Sequence, residues 1–313
     1  MKTFLKFFGI FFVLFTLVIT PAVKMLSDYN PFLGIISIRE DMDAVLVNPD
    51  SPFFSAFKDS KRVNILCVGA NQEMTDTIML VSFDKGNKRV DIISVPRDTY
   101  YPRDGYTGAS NKINAIYSKE GIVPLAYAVS NLLEGIPINY YAIIDYEGIK
   151  NIVDSMGGIP VNVEKAMKYN DPYDTPPLVI DIPAGEQVLD GEHAIQYLRF
   201  RKGYAEGDIG RIAAQQEFVE SAFKQALGMK LPSIAKTVFN NVESDITIGA
   251  TSSLALNAIG MTSDQFETYT APGVPDTKYG LSFWVLDDQA VQEMLLQIYN
   301  VAETTTEGAV TTS

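Results

Sequence analysis

Residues 7–23 carry no charged side chain, and Phe7, Phe8, Ile10, Phe11, Phe12, Val13, Leu14 and Phe15 make the stretch apolar almost throughout. Wound as a helix, these residues span ~26 Å, close to the ~30 Å hydrocarbon core of a bilayer. Lys6 and Lys24 can snorkel at either end and extend the usable span to residues 4–26. Lys2, Lys6 and the α-amino group favour a cytoplasmic N-terminus. A cleaved signal peptide is the rival, but the apolar region is long and no A-x-A-like site follows it. The expectation is a single-pass signal anchor at 1–26, with everything beyond it extracellular and tied to the cell membrane. The remainder must therefore fold outside the cytoplasm.

The chain has 313 residues, a formal net charge of −13 and 47% hydrophobic residues. That length and apolar fraction suit one large packed domain rather than a disordered chain. The acidic balance argues against nucleic-acid binding, which requires basic stripes. Cys67 is the sole cysteine, so neither an internal disulfide nor a thiolate metal site is available. It lies in the apolar run 63–68 and reads as a small buried hydrophobe. His193 is the sole histidine, which excludes histidine-rich metal clusters. A Ser-His-Asp arrangement around it has no supporting motif.

Residues 27–60, broken by Asn30-Pro31, Asn48-Pro49 and Ser51-Pro52, read as a juxtamembrane stalk with short helical pieces. The globular domain is expected over 61–300, followed by a disordered tail at 301–313 rich in threonine. Strands are expected at 63–68, 77–83 and 89–95, the last two joined by the hairpin signal Asp84-Lys85-Gly86-Asn87. Then helices (124–133, 148–156) alternate with strands (140–144, 159–163), and 170–177 is dense in turn formers. Asp190 is a plausible N-cap for a helix through Leu198, and a longer helix is expected over 208–227. The alternation predicts an α/β fold, a three-layer αβα sandwich with a mixed central sheet.

Two stretches gather the chemistry. One is Ser94-Val95-Pro96-Arg97-Asp98-Thr99; the other runs from Arg199-Phe200-Arg201 through Asp208, Arg211 and Gln215. Arginine is the side chain best shaped to grip phosphate bidentately, so arginines gathered among carboxylates on an acidic chain suggest a site for a phosphorylated ligand. Asp208, Arg211 and Gln215 fall at i, i+3 and i+7, on one helical face. The bland reading is a solvated face with a weak Asp208–Arg211 pair. Strand ends of α/β sheets are the usual ligand sites, which favours the Pro-Arg-Asp turn and Asp76 as candidates.

In this order the motifs are recognisable. Residues 63–227, about half the chain, resemble the catalytic domain of the membrane-anchored LytR–CpsA–Psr family. The matching pieces include Thr75-Asp76-Thr77-Ile78, Ser94 to Thr99, Asn111-Lys112-Ile113-Asn114, Asp145-Tyr146-Glu147-Gly148 and Leu189-Asp190-Gly191, together with Arg199-Phe200-Arg201 followed by Asp208, Arg211 and Gln215. The resemblance implies a phosphotransferase that moves an anionic glycopolymer, a teichoic acid, capsule or similar, from an undecaprenyl-pyrophosphate carrier onto peptidoglycan. By that resemblance Arg97, Lys112, Arg199, Arg201 and Arg211 hold the pyrophosphate, with Asn114 and Gln215 on the substrate. Asp98 and Asp208 orient arginines or act as base, and Asp76 with Asn71 binds Mg²⁺. The chain departs from the family pattern at Asn71, where an Asp is usual, and at Met74, where an Arg is usual. A non-catalytic protein that binds polyprenyl-phosphate lipid or envelope polymer is the alternative reading. No glycine-rich nucleotide loop is present, and Asp145 with Glu147 gives only a common D-x-E pattern for a glycosidase reading.

Overall fold

The computed structural model describes residues 49–71, 74–173, 177–200, 240–246 and 265–300, with single positions between 218 and 257. The first described helix, α1 (Phe54–Asp59), lies in the segment expected to be stalk. Phe53 and Phe57, four residues apart and stacked at 5.5 Å, bury one side of it in the main core. The folded domain therefore begins before residue 61. Beyond α1 run β1 (Arg62–Asn71), β2 (Met74–Asp84) and β3 (Arg89–Ser94), an antiparallel meander. A 3-10 turn (Gly108–Asn111), α2 (Asn114–Glu120) and α3 (Ile122–Leu132) lead to β4 (Tyr140–Ile144) and α4 (Tyr146–Ser155). Next come β5 (Ile159–Val163), β6 (Met167–Asp171), β7 (Leu178–Ile182), β8 (Gly185–Leu189) and α5 (Gly191–Arg199). The described C-terminal elements are β9 (Val242–Ser244), β10 (Phe266–Thr270), β11 (Gly273–Lys278), β12 (Leu281–Leu286) and α6 (Asp288–Tyr299).

The central sheet has the order β10-β3-β2-β1-β4-β9. β1 pairs with β4 in parallel, as does β3 with β10, and the other neighbours are antiparallel, so the α/β fold has a mixed sheet. Both of its faces are buried. Leu66, Val68, Leu80 and Ile93 pack with Ile116, Leu125, Val129 and Leu295 of the helices, while Ile65, Cys67, Val81 and Ile92 form the other face with Phe266 of β10 and cluster with Leu254. Two-sided burial is why these strands read as continuous apolar runs rather than alternating ones. Burial pushes the Cys67 thiol pKa far up, which leaves it an inert hydrophobe as its surroundings in the sequence predict.

A separate core joins α4 and α5 to β5 and β8 and to the β6–β7 hairpin. Phe218 and Ala222 pack into it at helical spacing. Gly191 sits where any Cβ would fall 2.5 Å from the Lys150 carbonyl oxygen, so α4 and α5 approach closely only with glycine there. β4 and β5 have the bounds expected of them, and Asp190 caps α5 by accepting from the His193 amide. Residues 170 and 171, expected in a loop, close β6 instead, because Asn170 and Asp171 pair with Val179 and Leu178. Residues 7–23 and 301–313 and most of 208–227 lie outside the described residues. Among the described residues no helix is long and apolar enough to cross a membrane.

At the sheet end where β1 begins, Arg62 is buried and saturated. Its guanidinium donates to Asp91 Oδ2 at 2.7 Å, to the Ile298 carbonyl at 2.7 Å and to Ser82 Oγ at 3.2 Å. It also lies 5.0 Å from the Tyr299 ring centroid. A single side chain thus ties β1, β2, β3 and the last turn of α6 together.

Candidate functional site

Strand directions decide where a site can form. β1, β3, β4 and β10 all end at one edge of the sheet, and β2 starts there. Carboxyl ends of strands, next to a change of connection, are where open α/β sheets bind ligands. The ladder between β1 and β2 breaks at this edge. Gly69 pairs with Thr77 and Ala70 with Thr75, which leaves Asp76 as the extra residue of a bulge. Bulges re-aim side chains and recur beside active sites. Asn71, paired with Met74, closes the same end.

β3 runs out at Ser94 into the Pro-Arg-Asp turn. The Thr99 amide and hydroxyl both donate to the Pro96 carbonyl, at 2.9 and 2.6 Å, and this fixes the turn's shape. The segment 111–114 lies against it. Tyr101 N donates to Asn111 O at 2.8 Å, Ile113 N to Thr99 O at 2.9 Å, and Asn114 N to Arg97 O at 3.2 Å. Lys112 Nζ bonds Asp98 Oδ1 at 2.9 Å. Thr75 Oγ1 donates to Asn114 O at 3.4 Å and so links the turn to the residue beside Asp76. Of the residues expected from sequence, Arg97, Asp98, Lys112 and Asn114 are therefore one hydrogen-bonded unit, with the backbone of Asp76 and Asn71 at the same edge.

Arg199 reaches this edge from another direction. β4 ends at Ile144, Asp145 caps α4 by accepting from Gly148 N at 2.7 Å, and Tyr146 follows. The Arg199 guanidinium, in the last turn of α5, lies 5.0 Å from the Tyr146 ring centroid. A planar guanidinium packs well on an aromatic face, and this contact fixes the position of Arg199 at the edge. The helix ends there, since Phe200 is extended at φ −65° and ψ 124°. Arg201, Asp208, Arg211 and Gln215 lie outside the described residues.

A neighbouring phenol is strongly perturbed. Burial first, then the Glu243 and Asp245 carboxylates, push the Tyr141 pKa up to about 12. Tyr141 therefore stays protonated at any physiological pH and serves as a hydrogen-bond donor rather than a base.

One participant is not among the residues expected from sequence. The β11–β12 hairpin docks on the Pro-Arg-Asp turn through Tyr100 N to Trp284 O at 2.8 Å and Trp284 N to Asp98 O at 3.0 Å. Its Phe283 ring lies 5.4 Å from Lys112 Nζ, so Lys112 is held between Asp98 and an aromatic face. The alternation of Leu281, Phe283 and Val285 after Gly280 is the signal that marks this hairpin.

The LytR_cpsA_psr family pattern matches residues 38–299. The chain is 31% identical over 264 residues to the polyisoprenyl-teichoic acid–peptidoglycan teichoic acid transferase TagV of Bacillus subtilis, covering 79% of this chain and 66% of that protein. It is 32% identical over 205 residues to the regulatory protein MsrR of Staphylococcus aureus, covering 62% and 59%. The chain thus spans about three fifths to two thirds of the length of these relatives. The crystal structure of B. subtilis TagV superposes with a TM-score of 0.60 at 28% identity, covering 78% of this chain and 99% of that one. The match runs through both the sheet and the site-bearing segments, and the chain belongs to the LytR–CpsA–Psr family.

Proposed function

We propose that this chain transfers an anionic glycopolymer from an undecaprenyl-pyrophosphate carrier to peptidoglycan by phosphoryl transfer. The observation that carries the reading is the Lys112–Asp98 ion pair beside the Arg97–Asn114 backbone bond, which sets the Pro-Arg-Asp turn against the segment 111–114 at the carboxyl ends of the strands. Likeness to TagV, named for that activity on teichoic acid, supports it. In the reaction an acceptor hydroxyl attacks the sugar-linked phosphorus. The bond from that phosphorus to the bridging oxygen breaks, polyprenyl phosphate leaves, and a phosphodiester to the glycan forms. The hydroxyl proton passes to a base, for which Asp208 is the candidate because Asp98 is engaged with Lys112.

Such a transfer needs positioning and charge stabilisation more than covalent help from the protein. By the family resemblance, Arg97, Lys112, Arg199, Arg201 and Arg211 hold the pyrophosphate and Gln215 bonds nearby. Magnesium is commonly held by one or two carboxylates together with phosphate oxygens and waters, and by the resemblance Asp76 and Asn71 would hold it. Asp76 offers the carboxylate and Asn71 a neutral oxygen. When bound, the ion neutralises phosphate charge. Residues 1–26 anchor the chain in the membrane with the N-terminus inside and the domain outside, which protease protection of an epitope at either end tests directly.

The deciding experiment incubates the full chain in detergent with a short-chain polyprenyl-pyrophosphate-linked glycopolymer and peptidoglycan, and measures released polyprenyl phosphate. Arg97→Ala should lower release by at least a hundredfold. Asn71 in the usual aspartate position favours a second reading, a lipid-binding protein without turnover. Donor binding without any release by the wild type would establish that reading and sink the transferase.

A further inference from the structure

The β11–β12 hairpin turns through Tyr279 and Gly280, both with positive φ (54° and 71°), between the paired Lys278 and Leu281. This is the two-residue geometry that asparagine and glycine favour, and a tyrosine in its first position is strained. The strained residue is also exposed, at 61%. It is not a loose side chain, because its ring packs against the buried Phe283 in an edge-to-face contact. Phe283 stands edge-on beneath both rings, 5.3 Å from Tyr100 and 6.4 Å from Tyr279. Two tyrosine rings are thus held at fixed angles on a solvent-facing corner. Tyr100 is two residues from Asp98, and Phe283 touches Lys112.

We propose that Tyr279 and Tyr100 form a platform for the acceptor, an uncharged stretch of glycan strand lying beside the phosphate-binding turn. This rests on the transfer reading, since it gives the second substrate a place next to the first. The rim of the patch decides the class of occupant. Lys278, 5.0 Å from the Tyr100 ring centroid, is neutralised by Asp276 at 3.0 Å, while Lys112 lies on the far side, toward the phosphate-binding turn. A polyanionic polymer would meet no net positive charge there. A lipid tail would meet two phenol hydroxyls and an ion pair in place of a dry wall. A pyranose offers a CH face to an aromatic ring and hydroxyls to the flanking charged and phenolic groups, which matches all of these features. Rigid aromatics with a polar tip are economical contacts of this kind, because few torsions have to be ordered.

The test uses the full chain in detergent, with Trp284, the sole tryptophan and the hairpin residue after Phe283, as fluorescent reporter. The probes are the uncharged tetrasaccharide of N-acetylglucosamine and a glycerol-phosphate oligomer. Saturation-transfer NMR on each sugar confirms which face is held. The expected result is that the wild type binds the tetrasaccharide and that Tyr279→Gly weakens it about tenfold, while Tyr279→Phe stays within about threefold. Gly is favoured in this turn, so Tyr279→Gly should melt no lower than the wild type, which separates lost contact from lost fold. Unchanged tetrasaccharide affinity in Tyr279→Gly overturns the platform, and so does a wild type that binds only the phosphate oligomer. Release of polyprenyl phosphate by the wild type is scored separately. Its absence removes the transfer reading, whereas the binding comparison alone decides the platform.

Discussion

Lys112 Nζ lies 2.9 Å from Asp98 Oδ1, and the same ammonium faces the Phe283 ring at 5.4 Å. The pair is partly exposed, with side-chain accessibilities of 18% for Lys112 and 43% for Asp98, so it adds under ~1 kcal/mol to stability. Its value is positional: it points one cation from the segment 111–114 toward the turn that carries Arg97. Lys112→Ala and Asp98→Ala should each lower transfer by tenfold to a hundredfold, roughly, with little change in melting temperature. The two effects should not add, and a double-mutant cycle on the transfer rate should give a coupling of about 0.5–3 kcal/mol. Strict additivity would mean that Asp98 does not act through Lys112.

How much of this was readable beforehand differs by element. The strands 140–144 and 159–163 and the cap at Asp190 carry local signals strong enough to set their bounds. Arg97, Asp98, Lys112 and Asn114 were legible as candidates from motif order. Their mutual bonds were not, because they depend on the segment 111–114 folding back over the turn. The role of α1 was hidden because Phe53 and Phe57 are two aromatics among breakers, and only contact with the distant core gives them meaning. The β11–β12 hairpin escaped because its turn uses tyrosine where asparagine or aspartate would have signalled it. Contacts distant in sequence hid α1 and the bonds within the site, and an atypical local turn residue hid the hairpin.

Asp91 has no solvent exposure and sits between Arg62 and Arg89, each at 2.7 Å. Removing the carboxylate takes the closest anionic partner from two guanidinium groups, one of them buried beside Tyr299. Breaking a buried pair from one side costs about 3–5 kcal/mol, a large part of the stability of an ordinary domain. Asp91→Ala should therefore lower the urea midpoint sharply and loosen α6, whose Ile298 carbonyl is held by Arg62. Amide exchange over residues 288–299 checks the second effect. A loss of under 1 kcal/mol would show that the network carries little.

Asp84 gives the acid limb of stability a definite sign. Burial pushes its pKa up, but hydrogen bonds from the Asn87 backbone and side chain, the Arg62 charge and the Gly86 amide together hold it below the ordinary carboxylate value. A depressed folded-state pKa adds stability above the unfolded value of about 3.9, and that contribution fades as pH falls through the lower, folded value. Stability should thus be level in this respect above about pH 5 and decline below about pH 4. Asp84→Asn should be less stable at neutral pH and show a shallower acid decline. Urea midpoints measured from pH 2.5 to 7 decide it, and parallel curves for the two proteins would contradict the assignment.

Asn71 closes β1 opposite Met74, and Asp76 is the extra residue of the adjacent bulge, so the two positions share one strand end. An amide oxygen is a weaker partner for a hard cation than a carboxylate. If the transfer reaction uses magnesium at this end, the natural chain should need a high concentration of it, and chelation should stop turnover reversibly. Asn71→Asp should then lower the magnesium concentration for half-maximal release by about tenfold or more, with calorimetry in the presence of inorganic pyrophosphate showing the same shift in affinity. Asp76→Asn should move both in the opposite direction. A magnesium response identical in all three proteins would place the ion elsewhere and leave Asn71 as a strand-end residue without a part in the chemistry.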